Sequence, residues 1–204
     1  MEKSEQFLGD VAKLQSWAKS FREFKANEWD TLPDIDLYMD QVVSYLPRQS
    51  TGGKPPAITS AMINNYVKDG LLPRAKGKRY QKEHLVYLTA IGLFKNVLTV
   101  RDIRLLIENL HAAGEEEVFY EKLLHSLNRA FNEVDGLIDP ALSEEELTLL
   151  AAKLALNSIA AKTACEQLLA VVREKHPSED PKARKEREKE EARRAKEAKK
   201  AAES

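Results

Sequence analysis

Residues 57–110 read AITSAMINNYVKDGLLPRAKGKRYQKEHLVYLTAIGLFKNVLTVRDIRLLIENL, and the order of features in this stretch decides the fold. A short helix opens near Thr59 or Ser60, both helix-capping residue types. Its run SAMINNYVKDG stops at Gly70, the residue type that most easily takes the left-handed conformation ending a helix. Leu71-Leu72-Pro73 follows, then Arg74-Ala75-Lys76-Gly77-Lys78-Arg79-Tyr80. Basic residues around one glycine, followed by a tyrosine, have the composition of a tight β-turn or small wing. A helix over about 83–96 then carries Leu85, Val86, Leu88, Ile91, Leu93 and Phe94. Another starts at the capping residue Thr99, with Asp102 three positions on, and ends at Gly114.

Working outward, the spacing of Ile35, Leu37, Tyr38, Val42, Val43 and Leu46 predicts an amphipathic helix over about 34–46. The Pro- and Gly-rich run 47–56 separates it from the short helix as a loop. Nearer the N-terminus, Phe7, Leu8, Val11, Leu14, Trp17, Ala18 and Phe21 recur at helical spacing within residues 4–24. Such a stripe must bury itself against something. Downstream, Val118, Phe119, Leu123, Leu124, Leu127 and Phe131 predict a helix over 115–134. Ser143-Glu144-Glu145-Glu146 is a strong capping sequence, and the helix it opens extends to Lys175. Residues 181–204 have no large apolar side chain and cannot offset their ordering entropy by burial.

These readings give an all-α chain with a small β wing: a winged helix-turn-helix followed by a C-terminal helical bundle or dimerisation helices. The expected divisions are an N-terminal amphipathic helix over 1–30, the winged helix-turn-helix over 31–113, a dimerisation or effector region over 114–176, and a charged tail over 177–204.

Composition narrows the function. The chain has 204 residues, 43% hydrophobic and 32% charged, with a formal net charge of -1. The total charge is uninformative, but its distribution is not. From Pro47 to Lys82 there are eight cations (Arg48, Lys54, Lys68, Arg74, Lys76, Lys78, Arg79 and Lys82) against Asp69 alone. Each cation that neutralises a phosphate of duplex DNA releases condensed counterions, so a concentrated basic segment suits such binding. The single cysteine, Cys165, allows neither an internal disulfide nor a thiolate-rich zinc site, and the four histidines lack ligand spacing. No signal-peptide-like run or membrane-length apolar run is visible, so a cytoplasmic protein without a membrane partner is expected. Asp34, Asp36, Asp40 and Glu115-Glu116-Glu117 are the only acidic candidates for catalysis, and none has a partner placed to act with it. We therefore expect no enzyme, cofactor or metal.

Reach assigns the roles. Thr59, Ser60, Asn64, Asn65 and Lys68 fall on or near the exposed face of the short helix. Asparagine pairs bidentately with adenine in the major groove, so Asn64 and Asn65 are the base-reading candidates. Solvated helix surface is the competing reading for both. Arg74, Lys76, Lys78 and Arg79 are placed to meet phosphates or the minor groove. Tyr66 and Tyr80 offer hydroxyls to phosphate, or else pack as half-buried rings.

The features Met62-Ile63-Asn64-Asn65-Tyr66, Gly70-Leu71-Leu72-Pro73, the basic turn ending at Tyr80, and Thr99-Val100-Arg101-Asp102-Ile103 occur in that order. In this the chain resembles the DNA-binding domain of the MerR family of bacterial regulators over roughly residues 34–110. It looks closer still to an uncharacterised bacterial family of small proteins to which a MerR-like helix-turn-helix is ascribed. The resemblance implies a transcriptional regulator that binds double-stranded DNA. Asn64 and Asn65 stand where MerR proteins usually carry arginine and tyrosine, and the connection Ser50–Ala57 is longer than a tight turn.

The C-terminal helix shows a heptad seam of Leu147, Leu150, Leu154, Asn157, Ala161, Ala164, Leu168 and Val171. Together with the resemblance, this predicts a homodimer; packing within the chain is the alternative. No motif identifies an effector. A helical protein–protein adaptor that keeps the winged-helix scaffold is the competing function.

Overall fold

The computed structural model describes Lys13, Ser16 and residues 28–46, 58–111, 115–139 and 141–175. The loop 47–57, the tail beyond Lys175 and nearly all of the 4–24 segment lie outside the described residues. After a 3-10 turn at Trp29–Thr31 come α1 (Met39–Tyr45), α2 (Ser60–Lys68), α3 (Lys82–Phe94), α4 (Val100–His111), α5 (Glu116–Asp135) and α6 (Glu144–Lys175). The described residues form no named strand, only two isolated antiparallel bridges, Leu37–Tyr80 and Lys76–Arg79. The protein is mostly helical, as expected. Where a wing was expected, the basic segment forms a turn closed by one bridge, Lys76–Arg79.

The helix over 34–46 starts later than its apolar spacing suggests. Leu37 is extended, and both its N–H and its carbonyl are committed to Tyr80, at 2.8 Å each way. Helix begins only after Tyr38, whose backbone N–H donates to Gln41 Oε1 at 2.8 Å. Ile35 consequently faces solvent.

α3 is the centre of the fold. His84, Leu85, Val86, Leu88, Thr89, Ala90 and Ile91 are all buried, as a helix apolar on most sides requires. Around it one core collects Val42, Ile63, Leu71, Leu72, Ile103, Ile107 and, from α5, Phe119, Tyr120 and Leu124. Tyr120 is fully enclosed and hydrogen-bonds Thr89 of α3; burial pushes its phenol pKa up to about 12.

α4 opens with a side-chain cap. Asp102 N–H donates to Thr99 Oγ1 at 3.2 Å, and the threonine hydroxyl donates to Asp102 Oδ2 at 2.6 Å. The other oxygen of Asp102 takes Arg173 of α6. α6 starts with a reciprocal capping box: Ser143 N–H donates to Glu146 Oε2 at 2.8 Å, and Glu146 N–H to Ser143 Oγ at 3.3 Å. Of its 32 residues only Leu169 is buried, so α6 is held to the core chiefly near its C-terminal end. Among the described residues no helix is long and apolar enough to cross a membrane.

Candidate nucleic-acid interface

α2 is short and strongly two-faced. Ile63 and Tyr66 are buried, while Ala61, Asn64, Asn65 and Lys68 are exposed. Those four stand at i, i+3, i+4 and i+7, the spacing of a single helix face. Thr59 Oγ1 accepts from Met62 N–H at 3.2 Å, so its hydroxyl caps the helix. The far end is fixed as well. Gly70 sits at φ 70, and Leu71 and Leu72 both donate to the Tyr66 carbonyl, at 2.8 and 3.1 Å. Because Leu71 and Leu72 are buried, the end of α2 is pinned to the core.

The basic turn follows directly. Arg79 N–H donates to the Lys76 carbonyl at 3.0 Å, and the two central residues, Gly77 (φ 59) and Lys78 (φ 64), are both left-handed. That is a type I′ turn. Lys78 is the only non-glycine residue at positive φ among the described residues. A lysine there costs about 1 kcal/mol relative to glycine.

Beneath the turn, Tyr80 packs edge-on against His84, with ring centroids 5.4 Å apart. His84 is buried, and its Nδ1 accepts from the Gln81 N–H at 3.0 Å. Desolvation lowers the His84 pKa, only partly opposed by Glu83 and by the Arg74 and Gln81 backbone. The histidine is neutral at pH 7.

The exposed cations of this stretch are Lys68, Arg74, Lys76, Lys78 and Arg79, and none of them pairs with a carboxylate among the described residues. Arg79 is positioned instead by a tyrosine, its guanidinium 4.9 Å from the ring centroid of exposed Tyr38 and donating to the Tyr38 hydroxyl at 3.1 Å. Lys82 leaves the set. Its ammonium bonds Asp34 at 3.1 Å and lies over the Trp29 ring at 4.3 Å. Arg48 and Lys54 fall outside the described residues.

Tyr66 and Tyr80 are core residues, with 9% and 5% exposure, and burial raises both phenol pKa values. Their rings complete the packing under α2 and the turn, the role expected as the alternative to phosphate contact. Sequence reading missed two residues. Tyr38 carries no signal in its own segment, because its partner Arg79 is 41 positions away. Ala61 is legible only once the i, i+3, i+4, i+7 face is drawn.

The heptad seam of α6 does not stay on one side of the helix. Leu147, Leu150 and Leu154 are half-buried, whereas Asn157, Ala161 and Leu168 are exposed. An α-helix drifts about 20° per heptad, which turns a strict seven-residue repeat away from the body over three heptads. Leu149, Leu156 and Ile159, outside the seam, are left open to solvent along with Leu168 and Val171.

No curated protein and no solved structure matches this chain. A family model does match, over residues 27–131, which takes in the 3-10 turn, α1 to α4 and most of α5. That span is just over half of the 204 residues, and the chain belongs to the family described as Domain of unknown function (DUF1836).

Proposed function

We propose that the protein is a DNA-binding transcriptional regulator that reads duplex DNA with α2 and grips it with the 76–79 turn. The observation that carries this reading is the set of exposed cations without carboxylate partners among the described residues, Lys68, Arg74, Lys76, Lys78 and Arg79. They lie on a capped helix, a tight turn and the connection between the two, all anchored in one core. The order of these features also resembles the MerR type of winged helix-turn-helix. Asn64 and Asn65 read base edges, and Ala61 lets the helix approach the groove floor closely. The turn cations meet phosphates and set position without reading sequence.

The protein acts as a homodimer, paired through the solvent-open apolar side of α6, where Leu149, Leu156 and Ile159 lie. The same open side favours a second reading, an adaptor that docks another protein. Selection from a random duplex pool by the purified protein separates the two. A regulator enriches a related set of sequences, and the set relaxes when Asn65 is replaced by Ala. An adaptor enriches none.

A further inference from the structure

An apolar groove of about 760 Å³ opens between α3, α5 and α6. Leu88 and Phe94 line one wall, Leu127 and Phe131 a second, and Ala161 and Cys165 the third. Small-molecule sites of about 300–1,000 Å³ are built in this way, apolar with a few placed polar groups. An apolar cavity of about 150 Å³ holds one benzene ring, so the groove has room for about five such groups.

Two features of the lining describe an occupant. The first is charge. Among the described residues Lys95 and Lys162 are the only charged groups on the groove, and no carboxylate lines it. Lys95 has no acidic partner among the described residues, and Lys162 has only Glu166, 3.8 Å away on the same helix. A half-exposed pair of that kind is weak and leaves the lysine available. The second feature is Gly92, which lies inside α3 and lines the groove. Glycine within a helix is unfavourable relative to alanine. The described packing does not require it here, since a Cβ at this position meets no atom within 4 Å. Its missing side chain leaves bare backbone on the groove, open to close approach by another molecule.

We propose that the groove binds a small amphiphilic anion. Its apolar chain or ring body lies over Gly92 between Leu88, Phe94, Leu127 and Phe131, and its carboxylate head is drawn to Lys95 and Lys162. A second copy of the chain suits the groove less. At about 100° per residue, the solvent-open Leu149 and Leu156 fall on the far side of α6 from Ala161 and Cys165, so pairing through them leaves the groove free. The inference is independent of duplex binding. The basic turn precedes the first turn of α3, whereas the groove is lined by its last two.

Cys165, the chain's only cysteine, lines the groove and reports its occupancy. The probe is dodecanoate below its micelle concentration, with dodecyltrimethylammonium as the control of opposite charge. At about ten times its dissociation constant, measured by calorimetry, dodecanoate slows maleimide labelling of Cys165 about tenfold, because only the empty groove reacts. The ammonium compound protects far less. Lys95→Gln with Lys162→Gln weakens dodecanoate about tenfold and does not weaken the ammonium compound. Gly92→Phe, which puts a ring in the groove, loses the dodecanoate binding, and Gly92→Ala melts no earlier than the native protein. The proposal is overturned by an absence of binding, by binding that leaves Cys165 unprotected, or by equal protection from both amphiphiles, which is apolar adsorption alone. It is overturned too if the double lysine variant binds dodecanoate as the native protein does. Slow labelling of Cys165 before any probe is added, or a Gly92→Ala variant that melts well below the native protein, would show that protein atoms already fill the space, and either result also overturns it.

Discussion

The guanidinium of Arg79 lies 4.9 Å from the ring centroid of Tyr38 and donates to the Tyr38 hydroxyl at 3.1 Å. Of the three cations on the turn, Arg79 is therefore pre-positioned, whereas Lys76 and Lys78 are not. A cation over an exposed ring is worth about 0.5–1 kcal/mol. If Tyr38 serves to aim Arg79 at a phosphate, Tyr38→Ala and Arg79→Ala each weaken duplex binding, and the double variant is hardly weaker than Arg79→Ala alone. Fluorescence anisotropy on the four proteins closes the cycle. Additive losses would show that Tyr38 does not act through Arg79.

Lys78 combines strain with charge, so one substitution moves stability and binding in opposite directions. Lys78→Gly relieves the φ of 64 and raises stability by roughly 0.5–1 kcal/mol, while the lost cation weakens duplex binding. Urea melts and anisotropy on the same preparation measure both. Gly77→Ala, at φ 59, does the reverse to stability.

How far the sequence carried this account varies along the chain. Helix ends with side-chain or glycine punctuation were legible: Thr59, Gly70, Thr99 and Ser143 all act where their residue types predict. The 34–38 segment was not, because its pairing partner, Tyr80, is more than forty positions away and its apolar spacing suits either a helix or an extended strip. The tyrosine roles were ambiguous for a similar reason. A tyrosine beside a basic turn reads either as a phosphate contact or as a half-buried ring until the neighbours that bury it, such as His84, are placed in space. The α6 seam reads as one line in the sequence, whereas in the structure its exposure changes along the helix, since a seven-residue repeat and a 3.6-residue helix part company over three heptads.

Protonation of His84 provides a pH signature. Its folded pKa lies below the ordinary 6.5, so the unfolded chain binds the proton more readily. The sign follows from that difference: the contribution is intact above about pH 6.5 and is lost as pH falls towards the lower folded value. Unfolding free energy measured at pH 7.5 and pH 5.5 should fall more in the native protein than in His84→Gln. An equal fall in both would assign the acid sensitivity elsewhere.

Arg173 and Asp102 hold α6 to α4. Arg173→Ala should cost about 1–2 kcal/mol, discounted because the arginine is partly exposed. Hydrogen exchange should accelerate in the last two turns of α6, with little change in α3. Uniform acceleration across the core would mean that the pair supports the whole fold and not this joint alone.

The central claim is that exposed cations on α2 and the turn engage duplex phosphates. Its most direct measurement is the salt dependence of binding to a short duplex, for the native protein and for Lys76→Ala/Lys78→Ala/Arg79→Ala. Each neutralised phosphate adds about -0.9 to the slope of log K against log salt. The account predicts a slope of roughly -4 per chain, falling by about 3 in magnitude in the triple variant, whose fold is unchanged. No retardation at low salt, or a slope that the triple variant leaves intact, would contradict it.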